Sequence, residues 1–267
     1  MTQSKPNRPL QVLQLTDPHL MADPHGELLG VNTRDSLDAV IAKVQADGRE
    51  PDLILATGDL AQDSSAEAYQ VLTERLAQFA CPALWLPGNH DDAVVLGYAA
   101  GAVGGQKQLA MGGWQFLLLD SSVPGHVHGE LSDCELAFLE RALARSPERP
   151  TMIALHHHPV DVGSRWMDNI GLRNREAFWA IVDRFPQVKV VLWGHIHQPL
   201  DQQRGGVRLL ASPSTCIQFA AGSADFAVAD LAPGYRWFEL HPDGDLATDV
   251  VRAEDFEFSI DLDSTGY

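Results

Sequence analysis

From residue 10 to residue 193, short apolar runs alternate with stretches of helical spacing. That alternation limits the folds open to this chain more than any other feature. Runs at 10–15, 53–56 and 83–86 read as buried strands. Between the first two, Leu37, Val40, Ile41 and Val44 recur at helical spacing, and between the second and third Tyr69, Leu72, Leu76 and Phe79 do the same. Short strand-to-helix connections of this kind predict a largely parallel sheet with right-handed crossovers, which takes its ligands beyond the carboxyl ends of the strands. The pattern continues with a strand at 115–119 and a helix opened by the Ser132/Glu135 capping box. Two more strands, 152–155 and 188–193, flank a helix over 175–185. After His197 the chain changes character: 207–210, 215–219, 226–231 and 235–240 are separated by Gly, Pro and Asp turns and predict an antiparallel meander closing a second sheet. The expected class is therefore α/β. With 45% hydrophobic residues over 267, one large core is expected across a single domain, 1–267, whose acidic tail, 253–267, forms a surface strand and a loose end.

Composition excludes some functions. No run approaches the roughly 18–20 apolar residues of a membrane span, and residues 1–10, with Lys5 and Arg8 beside prolines, lack the apolar region of a signal peptide. A cytoplasmic protein without membrane attachment is expected. Cys81, Cys134 and Cys216 lie far apart with no Cys-x-x-Cys pair, and read as buried thiols in a reducing compartment. The formal net charge of −17 opposes attraction to nucleic acid polymers. It would also oppose a phosphate ester, unless bound cations reverse the local field.

Metal-competent side chains fall where the predicted strands stop. The first runs into Asp17-Pro18-His19, the second into Gly58-Asp59, and the third into Gly88-Asn89-His90-Asp91. The strand at 152–155 runs into His156-His157-His158, and that at 188–193 into Gly194-His195-Ile196-His197. Asp17-x-His19 or Gly58-Asp59 alone is an ordinary turn. In Gly-His-x-His, however, an extended backbone points both imidazoles the same way, toward neighbouring ions. Strand alternation sends the middle histidine of 156–158 to the opposite side from its neighbours, so one side faces the ions and the rest pack or support. An oxygen and imidazole donor set without thiolate suits Fe, Mn, Co or Zn.

Taken together and in order, Asp-x-His, Gly-Asp, Gly-Asn-His-Asp, His and Gly-His-x-His resemble the calcineurin-like metallophosphoesterase superfamily. Within it the chain is similar to the class III cyclic nucleotide phosphodiesterases. Supporting stretches are Ala-Thr-Gly-Asp-Leu-Ala-Gln-Asp at 56–63, Trp-Leu-Pro-Gly-Asn-His-Asp at 85–91, Leu-Arg-Asn at 172–174, Gly-His-Ile-His-Gln at 194–198 and Pro-Ser-Thr-Cys-Ile-Gln-Phe at 213–219. The resemblance implies a four-layer α-β-β-α sandwich of two mixed sheets with helices on both outer faces. It also implies two metal ions, Fe with Mn or a second Fe. Asp17, His19 and His197 would hold one ion and Asn89, His157 and His195 the other, with Asp59 bridging; His157 is taken because it stands two residues before Pro159. The implied reaction is hydrolysis of a small cyclic nucleotide, 3′,5′-cyclic AMP, to 5′-AMP, lowering the cyclic AMP signal. Substrate contacts would come from Asn89, His90, His197 and Arg173. His90 would protonate the departing O3′, with Asp91 orienting its ring. Segment 161–175, carrying Arg165, Trp166 and Arg173, is read as a lid that stacks on a base, and His126 and His128 as loop residues reaching the cleft. Other phosphodiesters, such as 2′,3′-cyclic nucleotides or glycerophosphodiesters, and a non-catalytic metal-binding scaffold are the alternatives, and the oligomeric state is open.

Overall fold

A computed structural model describes residues 8–266. The remaining residues, 1–7 and 267, include Lys5 and part of the segment weighed above for a signal peptide, which therefore falls partly outside the described residues.

The first sheet contains β1 (Leu10–Leu15), β2 (Leu53–Thr57) and β3 (Ala83–Leu86). The second contains β4 (Gln108–Met111), β5 (Trp114–Leu118), β6 (Thr151–Ala154), β7 (Val188–Trp193), β8 (Leu200–Arg204) and β9 (Val207–Ala211). The chain then crosses back, and β10 (Gly234–Leu240) and β11 (Leu246–Arg252) complete the first. The spatial orders are β11-β10-β1-β2-β3 and β8-β9-β7-β6-β5-β4. β1, β2 and β3 run parallel, as do β5, β6, β7 and β9; β10, β11, β8 and β4 pair antiparallel with their neighbours.

Three apolar layers follow from strands whose residues are buried on both faces. Between the sheets lie Val12, Leu55, Leu84, Phe116, Met152, Leu192 and Phe238. The other face of the first sheet is covered by α1 (Thr33–Ala46), α2 (Ala66–Leu76) and α3 (Ala93–Gly104), through residues such as Val40, Ile41, Tyr69 and Leu72. The other face of the second is covered by α4 (Asp133–Arg145) and α6 (Arg175–Val182), with the single-turn α5 (Arg165–Asp168) between them. Ser132 caps α4 through its hydroxyl, which accepts from the Glu135 N–H as the capping pattern predicts. The expected sandwich of two mixed sheets between helical layers is present.

Two local expectations are corrected. The stretch after His197 does not form a meander on the second sheet: β9 joins it parallel to β7, whereas β10 inserts beside β1 with Leu10 opposite Leu240. The tail past Ala253 forms no strand among the described residues. Phe256, Phe258 and Ile260 pack on the second-sheet core, and the Asp261 N–H donates to Leu29 O.

Candidate metal centre

Because the parallel strands of both sheets end on the same side of the molecule, five loops converge there. Gln14, fully buried in β1, donates from Nε2 to Thr57 Oγ1 (2.8 Å) and to Trp193 O (3.1 Å), tying β1 and β2 to β7. The Asp17 N–H donates to Gly58 O and the His19 N–H to Asp59 O, so the first two loops leave their strands in register.

Seven described non-glycine residues have left-handed backbone, and five of them are Asp17, His19, Asp59, His195 and His197, at φ 48–65°. Such conformations cost of order 1 kcal/mol or more for each residue and persist where surrounding contacts over-determine them. Here they turn each side chain inward at the strand end. The turns also need room: a Cβ on Gly88 would stand 2.2 Å from Asp59 Oδ1, and one on Gly194 2.2 Å from Thr16 Oγ1. Only glycine lets the backbones approach this closely.

The inward side chains form interlocking groups. Asp17, His19 and His197 offer donor atoms within 4.8 Å of one another, as do His156, His157 and His195, then His19, Asp59 and His90, and finally Asp17, Asp59 and His156. His19 Nε2 lies 3.2 Å from His197 Nε2, and the latter 3.3 Å from Asp17 Oδ1. The opposite ring nitrogens are already engaged. His197 Nδ1 meets Ile217 O at 2.9 Å, a carbonyl that can only accept, so Nδ1 carries the proton and Nε2 a lone pair. His19 Nδ1 meets Gln62 Oε1 at 2.6 Å, with the same consequence. On the second-sheet side, His195 Nε2 meets Ile170 O at 3.2 Å and His157 Nδ1 meets Ser121 Oγ at 2.8 Å.

Electrostatics agree. Burial pushes His19 down to about 3 and holds His157 and His195 well below the usual imidazole range, so all three are neutral donors at neutral pH. Burial alone would raise Asp17, but His197 and His156 beside it hold its carboxyl low; Asp59 is held lower still, chiefly by His156 and His90 against the same burial. Two ionised carboxylates and several lone pairs thus face one buried space. Asn89 Oδ1 and His157 Nε2 are buried there without a hydrogen bond among the described residues. Unpartnered buried acceptors are costly. This donor set fits two metal cations, which would satisfy those acceptors together.

The structure brings Asp17, His19, Asp59, His157, His195 and His197 together. It sets Asn89 and His90 at the rim, where the His90 ring meets His19 edge-on at 5.1 Å and its N–H donates to Asp59 Oδ1. The hydrogen bonds of Asp91 run elsewhere than to the His90 ring. Its oxygens accept from the N–H groups of Leu60, Ala61 and Gly88 and from the Tyr69 hydroxyl, tying the loops after β2 and β3 together. Burial and nearby Asp59 push this carboxyl up to about 6, against those N–H groups.

Strand alternation allowed only one side of 156–158 to face the ions, whereas His156 and His157 both point into the centre. His156 Nε2 lies 3.1 Å from Asp59 Oδ2 and 3.9 Å from Asp17 Oδ1, while Nδ1 donates to Thr57 O. These two carboxylates overcome the effect of burial and raise its pKa to about 9. Strand alternation was the wrong guide because β6 ends at Ala154, before the histidines begin. His158 instead stacks on His195.

The lid expectation is also corrected. Trp166 packs edge-on against Phe219 and Phe226 and donates from Nε1 to Ser223 Oγ, and Arg165 pairs with Asp225. Arg173 is exposed and carries no ion pair among the described residues. Its N–H donates to Gly129 O in the loop that holds His126 and His128, whose rings are 4.7 Å apart. Gly129 of that loop lies directly against His157.

The chain is 47% identical over 257 residues to the 3′,5′-cyclic adenosine monophosphate phosphodiesterase CpdA of Pseudomonas aeruginosa, covering 96% of this chain and 94% of the relative. It is 48% identical over 261 residues to the protein of the same name from Escherichia coli strain K12, covering 97% and 95%. A 3′,5′-cyclic-nucleotide phosphodiesterase of Nostoc is 42% identical, covering 91% of this chain and 92% of the relative. The fold is shared with a dimetal phosphatase from Danio rerio at a TM-score of 0.71 and 12% identity, covering 97% of this chain and 100% of the other. The sequence profile of the calcineurin-like phosphoesterases matches residues 10–199, which span every strand-end loop just described. That match covers more than half of the chain, and this chain belongs to the calcineurin-like phosphoesterase family.

Proposed function

We propose that the protein is a dinuclear-metal phosphodiesterase that hydrolyses 3′,5′-cyclic AMP to 5′-AMP. The observation that carries this reading is identity of 47–48% over nearly the full length to two proteins named for that activity, beside a cluster of Asp17, His19, Asp59, His157, His195 and His197 whose side chains could hold metal. Asp17, His19 and His197 would hold one ion, Asn89, His157 and His195 the other, and Asp59 both. Iron with manganese, or two irons, suits this oxygen and imidazole set, with zinc or cobalt next. Bound there, two such ions supply Lewis-acid neutralisation of phosphate oxygens and activation of a water nucleophile.

The chain's own groups do the rest. His90, half-buried at the rim with its N–H anchored on Asp59, would contact the phosphate and give a proton to the leaving O3′. Asp91 acts through the loop, fixing where His90 stands, and not through the ring. Asn89 and His197 would contact the phosphate beside their ions. Exposed Arg173, next to the His126/His128 loop, offers its guanidinium to the nucleotide. The substrate is a free nucleotide and not a nucleic acid polymer, which the net charge of −17 repels beyond the centre. Of the three free cysteines only Cys216 is buried, with Cys81 half-buried and Cys134 exposed, and free thiols suit the reducing cytoplasm, where cyclic AMP acts.

The test is hydrolysis by the purified protein of 3′,5′-cyclic AMP, 2′,3′-cyclic AMP and bis(p-nitrophenyl) phosphate, with iron and manganese supplied and then chelated. Chelator-sensitive release of 5′-AMP at the highest kcat/KM of the three is expected. Turnover confined to the other two esters would overturn the cyclic AMP assignment while leaving the metal centre intact.

A further inference from the structure

The stretch 213–219 stands apart in the sequence yet contributes no candidate metal donor. In the fold it is fastened to the centre's backbone. Ser214 Oγ donates to Asp17 O (2.6 Å), the Thr215 N–H donates to Thr16 O (3.0 Å), and Ile217 O receives His197 Nδ1. Its last residue, Phe219, is buried with its ring stacked on the His197 imidazole, centroids 4.1 Å apart and planes 11° from parallel.

That stack has a mechanical consequence. The ring torsion of histidine is broad and roughly two-fold, so contacts must set the plane of the ring. The bond from Nδ1 to Ile217 O fixes one atom and still lets the ring rock about that contact. A flat face held parallel at van der Waals distance removes the rocking. An aliphatic side chain would fill the same volume without defining a plane. Phe219 is itself held edge-on by Trp166 (5.1 Å) and Phe226 (5.6 Å), and Trp166 is anchored by its hydrogen bond to Ser223 Oγ.

We propose that Phe219, backed by Trp166, is a positioning residue that fixes the plane of His197 and thereby sets the affinity of the Asp17/His19/His197 group for its ion. The proposal rests on the reading of His197 as a ligand. Groups that orient a ligand are worth about 10–100-fold in metal affinity when removed.

The experiment titrates metal-free protein with Mn²⁺ by calorimetry, comparing the unaltered chain with Phe219→Leu, Phe219→Tyr, Trp166→Leu and His197→Ala. Two equivalents are expected for the unaltered chain. Phe219→Leu should weaken one of them by about 10–100-fold and leave the other unchanged. Phe219→Tyr, which keeps the flat face, should restore it. Trp166→Leu should weaken the same equivalent by less, and it still tests the proposal if Phe219→Leu fails to fold. Loss of an equivalent in His197→Ala but in neither Phe219→Leu nor Trp166→Leu overturns the positioning role alone. Two unchanged equivalents in His197→Ala overturn the reading of His197 as a ligand. Equal weakening of both equivalents without rescue by tyrosine marks general disruption of the fold, and also overturns the positioning role.

Discussion

At the scale of single residues, the roles proposed for His90 and its neighbour Asn89 differ although the two share one loop. Asn89 presents a buried amide oxygen without a hydrogen bond among the described residues, whereas His90 sits at the rim against His19. Replacing His90 by alanine is expected to lower kcat by about 10²–10⁴-fold, the usual worth of a general acid, while both metal equivalents stay bound. Elemental analysis beside steady-state kinetics checks this, and parallel loss of metal and rate would move His90 among the ligands. Residue types were legible here because the chemistry demands them. Carboxylates, an amide and imidazoles at strand ends have few other reasons to recur in five loops. His156 was not legible, since its direction depends on where β6 stops, a matter of tertiary register that the local sequence does not encode. Nor was the engagement of Asp91 by three main-chain N–H groups, because backbone donors leave no trace in side-chain identity.

Among the elements, β1, β2, β3 and β7 were legible within a residue or so, because runs of Val, Ile and Leu between turn residues have no other cheap conformation. α3 was missed. Its sequence, AVVLGYAAGAVG, is apolar nearly all round, so it carries no stripe of helical period, and Gly101 breaks its dihedrals at φ 63°. What defines its start is Asp92, whose Oδ1 accepts from the N–H groups of Val94 and Val95. Asp92→Ala is expected to cost about 1 kcal/mol of stability. Because α3 begins directly after the His90 loop, the loss should also raise KM for the nucleotide. Thermal melting and kinetics on the same variant check both, and a change in neither would show that the loop is held independently of the α3 cap. The crossing of β10 to the first sheet was illegible for a different reason: an antiparallel strand pairs with any edge whose pattern matches, and topology alone chooses.

For the whole molecule, the donors divide between the sheets. The first supplies Asp17, His19, Asp59 and Asn89, and the second His157, His195 and His197. Ions that bind the folded form only would therefore stabilise the assembly of both, by about 2.7 kcal/mol for each site at a hundredfold excess over Kd. Chelation is accordingly expected to lower the melting temperature, and amide exchange should quicken in the loops of both sheets together. Quickening confined to one sheet would place both ions on that sheet.

The insertion of β10 beside β1 bears on how the chain is born. During synthesis β1 emerges long before its antiparallel neighbour, which arrives only with residues 234–240. Until then the nascent protein carries an open strand edge, and Asp17 and His19 wait for His197 to leave the ribosome. A ribosome that stalls in between releases a sticky, unfinished sheet that invites chaperones and proteases, and no fragment short of the β10 strand would be a smaller working enzyme.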